Sequence, residues 1–474
     1  MLTEEIALNF DPRYEDSEEL KALSRRGFIG RIAGGLAAGT ALLSITGKSR
    51  ANPPFPADKM ADPTDISYWN WVADQFMIRE GVSFMNTGTR GPSPKSVHQA
   101  QIAALEGVNT DYKSYSKYVY SGEFRKKMRQ KMAKFIGCKP NEVGFTNNTT
   151  EGMVFGTFGL DMEPGDEILT TNHDHSSGVQ PINLRAIRQK TKTVILDLSS
   201  PEYHPPDNPD VLLKAFEAAI TPRTKLISFC HINYGDGLVL PVKEICEMAR
   251  AKGIVTLVDG AQPPGMMNLD VHELGCDMYA GPCHKWMMAS MYTGFFYVNE
   301  NIVDRIWPTI YTGPIDGLSM YGVAPEGAIK AYYDEYLGGA AKFELRGSSN
   351  TPARVAIDAA LDFHNMIGPA AIEKRNRYQA VRLANALRDM NGVDVYSSTD
   401  PRLSAALVSF KIRGIETADL NAKLWDRHRI YIRSVNHPEI NWNANRTSMH
   451  VMVTDAQTDN LIGAIEEISK EKRL

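Results

Sequence analysis

The sequence predicts an α/β protein: a mainly parallel sheet with helices on both faces, followed by a smaller α+β unit. Three observations lead there. Seven short β-rich runs, "EVGFT", "DEILTTN", "KTVILDL", "KLISFCHI", "IVTLVDGA", "CDMYAG" and "GFFYV", fall between positions 142 and 298. Segments with apolar residues at helical spacing lie among them, such as "PDVLLKAFEAAI" and "PVKEICEMARAKG". Strand and helix in alternation favour parallel pairing, because a parallel crossover is usually made by a helix. From about Ala341 the pattern changes, and "PARVAIDAALDFHNMIG" leads to the β-rich runs "ALVSFKI", "IYIRSV" and "SMHVMVT" with helices among them.

Taken in order, the chain begins with "LSRRGFIGRIAGGLAAGTALLSITGKSRAN". A pair of arginines, Arg25 and Arg26, precedes sixteen uncharged residues from Ile32 to Gly47, and Ser49 and Ala51 sit like a cleavage site. A spanning helix wants roughly 20 predominantly apolar residues, and this run is shorter and rich in Gly and Ala. It resembles a twin-arginine export signal over residues 1–51, which implies the export machinery as a partner and a periplasmic location. The glycines do not form a dinucleotide loop, since no strand precedes them and the G-x-G-x-x-G spacing is absent. Residues 52–82, opening with the Pro- and Asp-rich "NPPFPADKMADPTD", read as a linker and N-terminal segment. A large domain over 83–340 and a small C-terminal domain over 341–474 complete the expected organisation.

Composition excludes several classes. The 474 residues are 43% hydrophobic and 23% charged with net charge −4, so no basic stripe suggests a nucleic-acid partner. The five cysteines (Cys138, Cys230, Cys246, Cys276 and Cys283) are scattered, without C-x-x-C spacing, and read as small buried hydrophobes. No metal site is expected.

Chemistry-bearing residues cluster where strands end. In open α/β sheets ligands sit beyond the carboxyl ends of the strands. Asp259 ends "IVTLVDGAQ", Gln262 follows three residues later, and Lys285 comes one strand on, in "GPCHKW". Alone, Asp259 is more simply a turn aspartate. "EVGFTNNTTEGMVFGTF" reads as strand, polar loop and helix, with Thr149 and Thr150 at the helix start. Free N–H groups and the helix dipole make such a start an anion site, although a plain N-cap explains the threonines equally well.

The order of these pieces resembles fold-type I pyridoxal-phosphate enzymes. A phosphate-binding helix start, a histidine after a strand, "VDGAQ" and "HKW" together are similar to the class V aminotransferase family, from "SFMNTGTRGPSP" at 83 to "SMHVMVT". The family includes cysteine desulfurases and isopenicillin N epimerase-like proteins. The resemblance implies pyridoxal 5'-phosphate as cofactor and Lys285 as its Schiff-base lysine. Apolar surroundings lower an amine's pKa and make it a usable nucleophile and base. The resemblance further implies Asp259 as partner of the pyridine nitrogen and Gln262 as donor to the phenolic oxygen. Thr149 and Thr150 would hold the phosphate, and His284 would reach it. His175, in "TTNHDHSSG", matches the histidine that stacks on the ring, with His173 as its rival.

On the same grounds, Ser348 of "KFELRGSSNTP" would reach the phosphate of a neighbouring subunit, which implies a homodimer. Arg446 matches the arginine that grips a substrate α-carboxylate, a task suited to its planar fork. Asn86, in "FMNTGTRGP", is a candidate substrate contact. Arg433 and Arg346 read as solvated cations, with secondary anion contacts as the other reading. In the loop before "LPV", Tyr234 and Asn233 compete for one place beside the ring.

Departures narrow the activity. Pro282 stands where many relatives have a Ser or Thr phosphate donor, and it has no N–H to give. Desulfurases carry a mobile persulfide cysteine in the small domain. This chain has no cysteine after Cys283, and Pro438 holds the aligned place. The loops "TTNHDH" and "CHKW" resemble the epimerase-like subgroup. The expectation is a pyridoxal-phosphate enzyme acting at the α-carbon of an amino acid or peptidyl amine, as an epimerase or aminotransferase. A C–S lyase without a persulfide cysteine is the first alternative. A non-catalytic exported binding protein that kept the fold is the second.

Overall fold

All seven β-rich runs of the first half pair into one sheet in the computed structural model of the protein, which describes residues 61–200, 203, 206, 208–313 and 339–471. The strands are β1 (Val143–Thr146), β2 (Glu167–Thr171), β3 (Lys192–Leu196), β4 (Thr224–Cys230), β5 (Val255–Asp259), β6 (Met278–Pro282) and β7 (Gly294–Val298). Their order is β1-β7-β6-β5-β4-β2-β3. β7 is antiparallel to both its neighbours, and every other pairing is parallel. β1, β2, β5, β6 and β7 are buried along their whole length, as a sheet covered on both faces requires, whereas edge strand β3 is half open. The mainly parallel fold expected from the alternation is therefore the fold observed.

Strand order also says where a ligand can sit. From β2 the chain moves outward to β3, then returns to β4 and proceeds the other way through β5, β6 and β7. The topological switch lies between β2 and β4, and a crevice opens there beyond the strand ends. Among the helices are α1 (Lys95–Thr110), α2 (Thr149–Gly159), α3 (Ser176–Gln189) and α4 (Thr351–Ile367). The starts of α2 and α3 both come directly or shortly after a strand, so their free N–H groups face the crevice end of the sheet.

The C-terminal part folds on a second sheet. Its strands are β8 (Val393–Val395), β9 (Leu407–Ile412), β10 (Arg433–His437) and β11 (Trp442–Ser448), in the order β10-β11-β9-β8 and antiparallel throughout. "SMHVMVT" was expected as a β-rich run, but residues 449–453 form a turn, and the strand is the polar "WNANRTS" before it. Central position explains the exchange: β11 pairs on both sides, so its backbone is satisfied whatever its side chains, while Met449, Val451 and Val453 fill the core from the turn.

The segment expected as linker and N-terminal extension contributes to that second core. A helix over Ile66–Ala73 buries Tyr68, Trp69 and Val72 among Ile372, Leu383, Phe410, Leu461 and Ile465. Arg375 fastens it, donating to Pro63 O at 2.8 Å and pairing with Asp455. The described residues make one compact unit. Arg25, Arg26 and the rest of the expected export signal lie outside the described residues. Among the described residues no helix is long and apolar enough to cross a membrane.

Candidate active site

The crevice is a cavity of about 250 Å³, lined by residues from every strand end that borders the switch. His175 and Ser177 come from beyond β2, Cys230 and Tyr234 from β4, Asp259 and Gln262 from β5, and His284 and Lys285 from beyond β6. Gly88, Thr89, Thr149, Thr150, Arg433 and Arg446 are also among the residues of the wall. Of the expected site residues, eight meet here: Lys285, Asp259, His175, Gln262, His284, Thr149, Thr150 and Arg446. Ser348 and Asn86 do not line it.

Lys285 and Asp259 are electrostatically tied. Burial pushes Lys285 down to about 8, and the Asp259 charge opposes that fall. Burial raises Asp259 to about 6, with Lys285 pulling the other way. Between these values the lysine is a cation beside a carboxylate, with a usable fraction of free amine at neutral pH. Asp259 Oδ1 also accepts from the Ala261 N–H at 2.9 Å, which fixes the carboxylate at the strand end. That bond is a turn contact, and what a turn alone does not require is the burial of Asp259 beside Lys285.

His175 is the N-cap of α3, with Nδ1 accepting from the Ser177 N–H at 3.1 Å. That leaves the ring proton on Nε2. Burial, then the positive Lys285 and Arg433, lowers it to about 4, so the imidazole is neutral. Its ring stands edge-on to Tyr234 at 4.8 Å. The rival His173 turns away from this cavity, bonded through Nδ1 to the Asn233 amide at 2.8 Å. Thus Tyr234, not Asn233, reaches the site. Asp174, between the two histidines, is buried and accepts from Thr170 Oγ1, Thr171 N and Cys230 N at 2.8, 2.8 and 2.7 Å. It staples the ends of β2 and β4 together, and the sequence reading missed it.

Gln262 is held at both ends. Trp286 Nε1, which can only donate, gives its proton to Gln262 Oε1 at 2.9 Å, and the amide nitrogen donates to Gly88 O at 3.2 Å. The tryptophan therefore sets which way the amide faces. His284 Nδ1 bonds Thr293 O at 3.1 Å, leaving its other nitrogen for a ligand. At the start of α2, Asn148 caps through the Glu151 N–H, so the N–H groups of Thr149 and Thr150 have no acceptor within the helix.

The loop from Asn86 to Gly91 joins the two halves of the site. Gly91 N donates to His284 O at 2.9 Å, and a Cβ at Gly91 would lie 1.9 Å from the Lys285 carbonyl oxygen. Only glycine permits that approach. Asn86, expected as a substrate contact, lies beneath Arg446 and accepts from its Nη2 at 3.3 Å and from Thr89 Oγ1 at 2.8 Å. Arg446 is 1% exposed and also donates to Tyr234 O at 2.6 Å. Arg433, expected at the solvated surface, lines the cavity instead and donates to Thr89 Oγ1 at 2.8 Å. Cys230, expected as a bland core thiol, also faces it. Arg346 serves packing, holding Glu151 and the Phe145 carbonyl. Ser348 is exposed outside the cavity of the single chain.

These groups fit pyridoxal phosphate. The helix start offers unpaired N–H donors for a phosphate, Asp259 a buried anion for a ring nitrogen, His175 a neutral ring for stacking, and Lys285 an amine for an aldehyde.

Comparison with known proteins agrees. The aminotransferase class-V family model matches residues 86–461. The chain is 28% identical over 414 residues to isopenicillin N epimerase of Amycolatopsis lactamdurans, covering 85% of this chain and 99% of that one. A probable cysteine desulfurase of Methanothermobacter thermautotrophicus is 26% identical, with 83% and 96% covered. The apo structure of a cysteine desulfurase from Thermococcus onnurineus shares the fold, with a TM-score of 0.73, 24% identity and 87% and 99% coverage. The chain belongs to the class V aminotransferase family of fold-type I enzymes, and pyridoxal 5'-phosphate is its cofactor.

Proposed function

We propose that the protein labilises the α-hydrogen of an amino acid or peptidyl amine and returns a proton to that carbon or leaves a keto product, as an epimerase or aminotransferase. One observation carries this reading: a lysine lowered to about 8, a buried carboxylate and a buried arginine face one cavity at the switch of the sheet. Bound there, pyridoxal phosphate supplies an electron sink for the pair left on the α-carbon.

The chain's own residues do the rest. Lys285 would hold the cofactor through Nζ, and as a free amine that nitrogen would carry the proton taken from the α-carbon. Asp259 holds negative charge against the ring nitrogen. His175 covers one ring face, and Gln262 presents its amide to the phenolic oxygen. Thr149, Thr150 and His284 take the phosphate. Arg446 grips the α-carboxylate, and Asn86 and Thr89 position its guanidinium. Ser348 completes the site of a second subunit in a homodimer, and the Arg25–Arg26 leader sends the protein to the periplasm.

The epimerase relative, matched over nearly all of its length, supports the first reading. A C–S lyase is the second, supported by the desulfurase relative together with the absence of any cysteine after Cys283. A binding protein without catalysis gives no reason for a lysine held at about 8 beside Asp259.

The test is exchange of the α-hydrogen. The holoenzyme is incubated with L-amino acids and small peptides in deuterated water, and NMR and the cofactor spectrum are followed. Epimerisation gives deuterated D-product with an unchanged cofactor. Transamination gives the amine form of the cofactor and a keto acid, and lysis releases sulfide or pyruvate. No exchange with any panel member, together with no label on Lys285 after borohydride, would hand the case to the binding protein.

A further inference from the structure

Arg433 and Arg446 are directly opposite each other in the antiparallel pairing of β10 and β11. Like charges in that position destabilise a sheet. Among the described residues no carboxylate pairs with either of them. Arg446 donates to Tyr234 O, Asn86 Oδ1 and Thr89 Oγ1, and Arg433 to the same Thr89 Oγ1, all uncharged acceptors. Burial and the neighbouring Arg433 both push the Arg446 guanidinium below its ordinary range. An arginine still stays protonated in a protein, so the repulsion is not removed by titration.

The cavity wall as a whole has the same imbalance. Among the described residues it carries Lys285, Arg433 and Arg446 against one carboxylate, Asp259. The N–H groups at the start of α2 add further positive potential. A cofactor phosphate answers the helix start, and a substrate α-carboxylate answers Arg446. Arg433 is left over. It lies nearer solvent than Arg446, which is fully buried, so its partner must sit farther out along the substrate.

We infer that Arg433 is a specificity-determining residue that binds a second acidic group, and that the substrate is a short α-amino diacid or a peptide presenting one. The inference rests on Arg446 as the α-carboxylate contact. Thr89 makes the pair a unit. Its hydroxyl gives its proton to Asn86 and accepts one N–H from each guanidinium, at 2.8 and 3.2 Å. Two donors sharing one oxygen lie at most about 6 Å apart, which matches two carboxylates on a spacer of a few carbons.

The test uses ligands without an amino group, so that no reaction intrudes. The holoenzyme is titrated calorimetrically with succinate, glutarate and adipate, each against the monoacid of equal carbon count: butyrate, pentanoate and hexanoate. At least one diacid should bind tenfold or more tightly than its monoacid. Arg433→Gln should bring that ratio within twofold by weakening the diacid far more than the monoacid, and Arg433→Lys should keep part of it. Circular dichroism of each variant checks the fold. Ratios within twofold for every pair in the unaltered protein, or no diacid binding up to tens of millimolar, overturn the inference. So does an equal loss of monoacid and diacid in Arg433→Gln, which would mean that both guanidiniums hold one carboxylate. Failure of α-hydrogen exchange would remove the proposed reaction and leave the diacid preference standing.

Discussion

Cofactor capture by the apo-protein depends on the neutral form of Lys285, and its pH dependence follows from the site. An ordinary lysine near 10.5 is neutral in roughly one molecule in 3,000 at pH 7. Burial lowers Lys285 to about 8. At pH 7 that raises the neutral fraction to roughly one in ten, a gain of about 300-fold. The Asp259 carboxylate is the largest opposing influence, so Asp259→Asn should move the midpoint below about 8. The assay is stopped-flow absorbance of apo-protein mixed with pyridoxal phosphate, from pH 7 to 10.5, above the cofactor phosphate's own ionisation near about 6. The rate should rise with pH and level off past about 8 in the unaltered protein. In Asp259→Asn it should level off earlier and be faster at pH 7. A midpoint near 10 in the unaltered protein refutes the burial of Lys285 as its controlling influence. An upward shift in Asp259→Asn refutes the pairing.

The same depression bears on stability, and other residues carry the predictions on turnover, cofactor environment and export. Between pH 8 and 10.5 folded Lys285 binds fewer protons than unfolded, so apo-protein stability should rise with pH there, and Lys285→Met should flatten that rise in denaturant titrations. Asp259→Asn should stay coloured yet lose several orders of magnitude in turnover, since about 3–5 kcal/mol of charge stabilisation is removed; near-normal rates would leave Asp259 a structural residue. Trp286→Phe deletes the only indole donor to Gln262 Oε1, leaves a buried acceptor unpaired and should cost about 1–3 kcal/mol, with an altered cofactor spectrum from the freed amide. Changing Arg25 and Arg26 to Lys should hold the protein inside the cell with its leader uncut, and unchanged periplasmic yield would remove the export reading.

Much of this protein was legible in its sequence because the relevant signals are local. Apolar runs bounded by turns, alternating with helical spacing, lead directly to the parallel sheet. A parallel sheet in turn puts chemistry at strand ends, which is where Asp259, Lys285 and His175 stand. The polar loop before α2 was legible as a helix start, where an anion site and a plain N-cap look alike until the loop is set beside the other strand ends. What the sequence could not supply was register and direction. Arg433 and Arg446 are thirteen positions apart and become opposed only once β10 and β11 pair. Asn86 and Thr89 come beneath those arginines through contacts with residues more than 340 positions away. His173 and His175, two residues apart, differ because the second caps α3 while the first bonds Asn233, and no local pattern distinguishes the two. Strand β11 was hidden in "WNANRTS" because pairing on both sides, rather than side-chain pattern, makes it a strand. The helix at Ile66–Ala73 was hidden by its Pro-rich approach, because its apolar face has meaning only against the C-terminal core. Short-range periodicity thus determined the fold and the order of the reactive residues. Pairing between distant segments decided which side chains face the cavity, because side-chain direction depends on a partner the local sequence does not contain.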